Sequence, residues 1–160
     1  MSKGYYFMLN GTFYESKYYN KLGVKLDTKY NGTFASNGLF GKEFKLGKGK
    51  QNTLSFSTRY IVVGGMRTLP IDEKASLEQG YSVRYHDDGF SVKNSDYFRI
   101  DLLVKFRQNK ARYTSEWSID LLNILNRQNV LTEYWNNGTH KLEEEYQNPT
   151  IAIISYRIQF

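Results

Sequence analysis

The chain has 160 residues, with 22 Lys and Arg against 16 Asp and Glu, a net charge of +6 and no cysteine. The lack of cysteine excludes a disulfide scaffold and thiolate metal sites, and no run reaches the roughly 18 apolar residues of a membrane helix. The basic residues are dispersed, the tightest group being Lys42, Lys45, Lys48 and Lys50 around a turn, so the charge excess predicts no nucleic-acid partner.

The elements follow in chain order. Met1-Ser2-Lys3-Gly4-Tyr5 carries a charge with no apolar stretch behind it, so no secretory signal is predicted. Tyr5–Ser16 alternates, with Tyr5, Phe7, Leu9 and Phe13 on one side and Asn10, Thr12, Tyr14 and Ser16 on the other. Period two denotes a strand whose two faces meet different surroundings. Phe34–Leu46 repeats this more loosely through Phe34, Phe40, Phe44 and Leu46, and Asn52–Val63 sets Leu54, Phe56, Tyr60 and Val62 against Ser55, Ser57 and Arg59. Asp96–Arg107 is the cleanest, with Phe98, Ile100, Leu102, Val104 and Phe106 opposite Tyr97, Arg99, Asp101, Lys105 and Arg107. Glu116–Asn123 places Trp117, Ile119 and Leu121 against Glu116, Ser118 and Asp120. The terminal strand carries Ala152, Ile154, Tyr156, Ile158 and Phe160 on one side and Ile153, Ser155, Arg157 and Gln159 on the other.

These stretches exceed the usual soluble strand of about 5–6 residues and approach the 9–11 or so of a membrane-crossing strand. The mean hydropathy of -0.60 does not oppose this, because a membrane barrel needs only one apolar side per strand. The connections alternate: Gly47–Gln51 and Gln108–Arg112 are short, whereas Lys17–Thr33, Gly64–Ser95 and Arg127–Pro149 are long. Outer-membrane barrels alternate short periplasmic turns with long extracellular loops. The predicted fold is therefore all-β, an antiparallel transmembrane β-barrel segment of about six long strands.

The least generic segments are Gly64-Gly65-Met66-Arg67-Thr68-Leu69-Pro70-Ile71-Asp72 with Glu73-Lys74-Ala75-Ser76, Asp96-Tyr97-Phe98-Arg99-Ile100-Asp101, Trp117 through Val130, and Ser155-Tyr156-Arg157-Ile158-Gln159-Phe160. In this order they resemble the C-terminal barrel part of TonB-dependent outer-membrane receptors of the Bacteroidetes type. The resemblance implies a transport receptor in the bacterial outer membrane, without catalysis or cofactor. It implies a barrel of twenty-two strands, of which residues 1–160 would supply the C-terminal portion, with no plug domain. The missing strands and plug would then be partners, and TonB would act only through the absent N-terminal part. Phe160 resembles the terminal aromatic signal read by the outer-membrane insertion machinery, so its expected role is assembly.

Arg99, Asp101, Lys105, Arg107, Glu116, Asp120 and Arg157 are expected to face the lumen of such a barrel. Their simplest roles are wall electrostatics and cross-strand pairing. Ligand contacts are expected from aromatics of the long loops, Tyr81, Tyr85, Phe90, Tyr134 and Trp135, because binding groups concentrate on loops held by a rigid scaffold. His86 and His140 read as exposed loop residues, since a metal site needs three or four convergent ligands. Glu143-Glu144-Glu145 reads as a solvated flank, and in an outer membrane it would lie near the cations that bridge lipopolysaccharide.

Two other architectures fit the alternation. A complete eight-stranded outer-membrane barrel, an adhesin or lipid-modifying enzyme, would draw an extra hairpin from Tyr81–Tyr85 and Leu142–Tyr146. A soluble ligand-binding β-barrel would turn the Phe98 and Ala152 faces inward. The direction of those faces and the pairing of the two outermost strands distinguish the three.

Overall fold

A computed structural model describes residues 3–160. Met1 and Ser2, the first residues of the stretch read as lacking a secretory signal, lie outside them. The elements in order are β1 (Tyr5–Phe13), β2 (Lys17–Tyr19), β3 (Lys25–Asp27), β4 (Phe34–Leu46), β5 (Asn52–Val63), β6 (Arg67–Thr68), α1 (Glu73–Gln79), β7 (Val92–Lys93), β8 (Tyr97–Asn109), β9 (Thr114–Leu122), β10 (Val130–Asn136), β11 (Lys141–Tyr146) and β12 (Ile151–Gln159).

The chain is all-β and antiparallel. Six long strands make one meander in the order β1-β4-β5-β8-β9-β12. Their bounds follow the predicted stretches closely, and the differences have local causes. β1 stops at Phe13 rather than Ser16 because the Ser16 amide turns to the Asn31 side chain at 2.9 Å. β9 stops at Leu122 because Asn123 adopts a left-handed backbone with φ of 52°.

Register carries the period-two pattern across the whole sheet. One row runs Phe7, Phe40, Thr58, Leu102, Leu121, Ala152. The opposite face contains Ser57, Arg59, Asp101, Lys105, Glu116 and Arg157. A one-residue slip at any strand would exchange the faces of that strand. The turn between β4 and β5, the turn between β8 and β9, and the end of β12 all fall at one end of the sheet, and the long connections fall at the other.

Burial is inverted with respect to a water-soluble sandwich. On the polar face of the main sheet Thr53, Ser55, Ser57 and Asp101 are buried, whereas on the apolar face Phe7 is 81% and Ile154 70% exposed. Trp135 is the buried large hydrophobic residue among those described, and it lies in the loops. The apolar face has no second layer packed over it among the described residues.

The sheet does not close. β1 pairs only with β4 and β12 only with β9, so each outermost strand keeps one edge without a described partner. β11 does form over Lys141–Tyr146, but it pairs with β10 in a separate two-stranded sheet. Tyr81–Tyr85 contributes only the isolated Ile71–Arg84 bridge. The extra hairpin required by an eight-stranded arrangement is therefore not added to the main sheet.

The long connections are folded, not bare loops. The β2–β3 and β10–β11 hairpins, the β6–β7 pair and α1 gather at the end opposite the short turns. The Gly64–Asp72 segment fastens them. A β-carbon on Gly64 would come within 1.7 Å of the Gly32 carbonyl oxygen, and one on Gly65 within 1.9 Å of the Asn94 oxygen. The two glycines let the backbones pass at distances no side chain tolerates. Arg67 then pairs with Asp27 at 3.3 Å and donates to the Asn31 carbonyl at 3.2 Å. Asp72 caps α1 by accepting the Ala75 amide at 2.9 Å, and Gly80 ends the helix with φ of 77°.

Gly65→Ala is expected to destabilise by about 1–3 kcal/mol, the range for forcing atoms into filled space. The same change at Gly11, which has open space around its β-carbon position, is expected to leave stability within about 0.5 kcal/mol. Unfolding midpoints of the two variants provide the comparison; equal midpoints would remove the steric account of the glycine pair.

Candidate functional site

The polar face of β4, β5, β8 and β9 forms a trough of about 340 Å³, lined among others by Ser55, Ser57, Arg59, Asp101, Lys105 and Asp120. Alternation brings its charges together, because residues two apart on a strand share a face and register aligns neighbouring strands. All seven expected charges, Arg99, Asp101, Lys105, Arg107, Glu116, Asp120 and Arg157, share this face.

Two clusters organise them. Asp101, only 3% exposed, accepts from Arg59 Nε at 3.0 Å and Nη2 at 2.6 Å, and from Arg99 Nη2 at 3.1 Å. Its second oxygen accepts the Asn123 amide at 3.0 Å. One carboxylate thus binds two guanidinium groups and a backbone donor, which saturates its acceptor capacity. Glu116 is held by Arg107 at 2.7 Å and Lys105 at 3.4 Å, with Arg157 opposite it on β12. Asp120 stands opposite Leu103 and Ile153, without an ion pair among the described residues.

Each carboxylate of the two clusters is engaged by neighbouring cations. Among the described residues no three His, Asp or Glu side chains converge on a cation-sized point. His86 is exposed in its loop, and His140 occupies the β10–β11 turn with φ of 52°.

Arg59 and Asn123 do not stand out in the sequence pattern. Arg59 is visible there only as a polar residue of β5. Asn123 leaves no periodic signal at all, yet it is a junction. Besides donating to Asp101 through its backbone, it donates from its side chain to the Arg127 carbonyl at 3.0 Å and the Asn148 carbonyl at 3.3 Å, and accepts the Arg127 amide at 3.1 Å. Asn129 behaves similarly. Its amide side chain both accepts from and donates to the Phe98 backbone at 2.9 Å, in place of a neighbouring strand.

The loop aromatics divide. Tyr81, Tyr85 and Tyr134 are exposed, and Phe90 is half-buried beside a cavity of about 350 Å³ shared with Met66, Leu69, Arg84 and Leu131. Trp135 is not a surface contact. It is 8% exposed, and its backbone amide donates to Ser82 Oγ at 2.8 Å.

Two loop carboxyls have their acidity set by neighbours. The Gly65 amide at 2.8 Å, with the Lys93 ammonium beside it, holds the Asp96 carboxyl below its ordinary range. The Thr139 hydroxyl and Asn136 amide do the same for Glu143. Within the acidic run, Glu143 therefore spends its oxygens on its own hairpin. Phe160 follows β12 at the short-turn end and is almost fully exposed. No protein-family model matches the chain, and no curated protein or solved structure matches it.

Proposed function

We propose that the chain is a wall segment of a bacterial outer-membrane β-barrel, the C-terminal part of a TonB-dependent importer, serving transport without catalysis. The observation that carries this reading is the inverted burial of the main sheet. Two serines, a threonine and an aspartate are buried on one face, while phenylalanines and isoleucines stand bare on the other. Water-soluble monomers rarely expose a contiguous apolar patch beyond a few hundred Å². Hydrocarbon is the surrounding in which such a face is at its free-energy minimum.

Three further features support it. The long strands have 9 to 13 residues, the length a tilted membrane strand requires. The short turns share one end, as periplasmic turns do. Both outer edges lack a partner among the described residues, and open edges in lipid cost several kcal/mol for each unpaired group. Further barrel strands on either side satisfy them, and the charged trough then faces the lumen and the plug. Phe160 serves insertion, and Tyr81, Tyr85 and Tyr134 lie with the outer loops toward ligand and lipopolysaccharide.

The chain's two tryptophans provide the test. Trp117 is 53% exposed on the apolar face, and Trp135 is buried in the loops. In vesicles of lipids brominated along the acyl chain, Trp117 emission is expected to be quenched and Trp135 emission spared, so that Trp117→Phe abolishes most of the quenching. Unquenched Trp117 in vesicles that carry the chain would refute the membrane reading.

A further inference from the structure

Among the described residues, Lys42 is the one charged side chain on the apolar face of the main sheet. Register places it in the row Tyr5, Lys42, Phe56, Val104, Ile119, Ile154. Its chain neighbour Glu43 points to the opposite face and lies 4.0 Å from Lys45. Among the described residues no carboxylate pairs with Lys42.

The side chain is nevertheless held in one place. Its ammonium donates to the Tyr5 hydroxyl at 2.6 Å and lies 4.3 Å from the centre of that ring. It also lies 4.8 Å from the centre of the Phe44 ring. Phe44 is two residues nearer the Gly47–Gln51 turn, so the long aliphatic stem leans toward the short-turn end of the sheet. Lysine near a membrane boundary bends its charge toward the headgroups in this way. Tyr5 is the first residue of β1, which puts the pair at the end of that strand.

Two ammonium protons remain after the bond to Tyr5, and the phenol, having accepted one proton, keeps its own to donate. The site therefore presents three donors and a net positive charge, rimmed by aromatic and aliphatic side chains. A carboxylate-bearing peptide would satisfy the charge but not the apolar rows around it. A phosphate carrying acyl chains satisfies both. A zwitterionic headgroup brings its own cation to that phosphate, whereas an anionic headgroup leaves the Lys42 charge as its counterion.

We propose that Lys42 and Tyr5 form a headgroup site for an anionic phospholipid in the leaflet at the short-turn end, an inference that rests on the membrane reading above. Phosphate oxygens accept from the Lys42 ammonium and the Tyr5 hydroxyl, and the acyl chains lie along the Phe56 and Val104 side of the sheet.

The test uses the full chain in vesicles of mixed phosphatidylglycerol and phosphatidylcholine, with retained lipid counted by native mass spectrometry after gentle extraction. The wild-type chain is expected to enrich phosphatidylglycerol. Lys42→Gln should lower the enrichment about fivefold, the factor corresponding to one lysine beside an anionic surface. Tyr5→Phe should lower it less, Lys42→Arg should retain it, and Lys48→Gln, which removes an equal charge from the adjacent turn, should leave it nearly unchanged. An unchanged ratio for Lys42→Gln, or an equal fall for Lys48→Gln, overturns the site. Quenched Trp117 with no phosphatidylglycerol enrichment defeats this inference alone, whereas unquenched Trp117 defeats the membrane reading and the site with it.

Discussion

Asp101→Ala is expected to lower the unfolding free energy by about 2–3 kcal/mol. The carboxylate is almost fully buried and serves Arg59, Arg99 and the Asn123 amide. Removing one member of a buried ion pair costs about 3–5 kcal/mol when the abandoned charge stays buried. Here the cost is lower, because Arg59 keeps 46% of its side chain exposed and regains water along the trough. The Asn123 amide has no such recourse, because Asn123 is itself buried. Asp101→Asn keeps an acceptor for that amide and loses the charge, so about half the destabilisation is expected. Denaturant midpoints in lipid vesicles, followed by tryptophan emission, rank the three proteins. A midpoint for Asp101→Ala indistinguishable from wild type would show that the cluster contributes nothing.

Ile119→Arg separates the membrane reading from a water-facing one more sharply than any change in the trough. Ile119 lies in mid-strand on the apolar face of β9, between Val104 and Ile154. If that face meets hydrocarbon, an arginine near the bilayer midplane costs about 2–4 kcal/mol. If it meets water, the position is an exposed surface site, and the substitution changes stability by no more than about 0.5 kcal/mol. Ser155→Arg, on the polar face of β12, is expected to be tolerated in both cases. Measured in the same vesicles, a loss confined to Ile119→Arg supports the lipid-facing assignment, and equal tolerance of both arginines contradicts it.

The residues behind these two expectations are unequally visible in the chain. The apolar and polar sides of every long strand are legible from period two, because neighbouring side chains of a strand must point to opposite faces whatever surrounds them. Arg99, Asp101, Lys105 and Arg107 fall on one face by alternation alone. The partners of Asp101 do not follow from it. Arg59 lies 42 residues away and Asn123 22 residues away, and only register brings them together. Trp135 is the opposite case. An aromatic in a long loop suggests a surface contact, but the segment is folded as β10 and the residue is buried, its backbone amide donating to Ser82 Oγ.

The Gly64–Asp72 segment changes meaning once seen in place. In the sequence it is an unpatterned stretch notable for a family resemblance. In the structure Gly64 and Gly65 allow close passage of two backbones, Arg67 makes an ion pair, and Asp72 caps a helix. No periodicity encodes these roles, because they depend on what lies across a loop rather than along it.

By itself the sequence determined the six long strands, their bounds to within a few residues, the identity of each of their faces and the alternation of short and long connections. These follow from local geometry and turn chemistry, which need no knowledge of distant residues. Tertiary structure alone decided that the buried face is the polar one, that β10 and β11 stay outside the main sheet, and that β1 and β12 each keep one edge without a partner among the described residues. It also isolated Lys42 on a face otherwise uncharged among the described residues. Alternation states that two faces differ; which of them is covered depends on how the strands assemble and on the solvent around them.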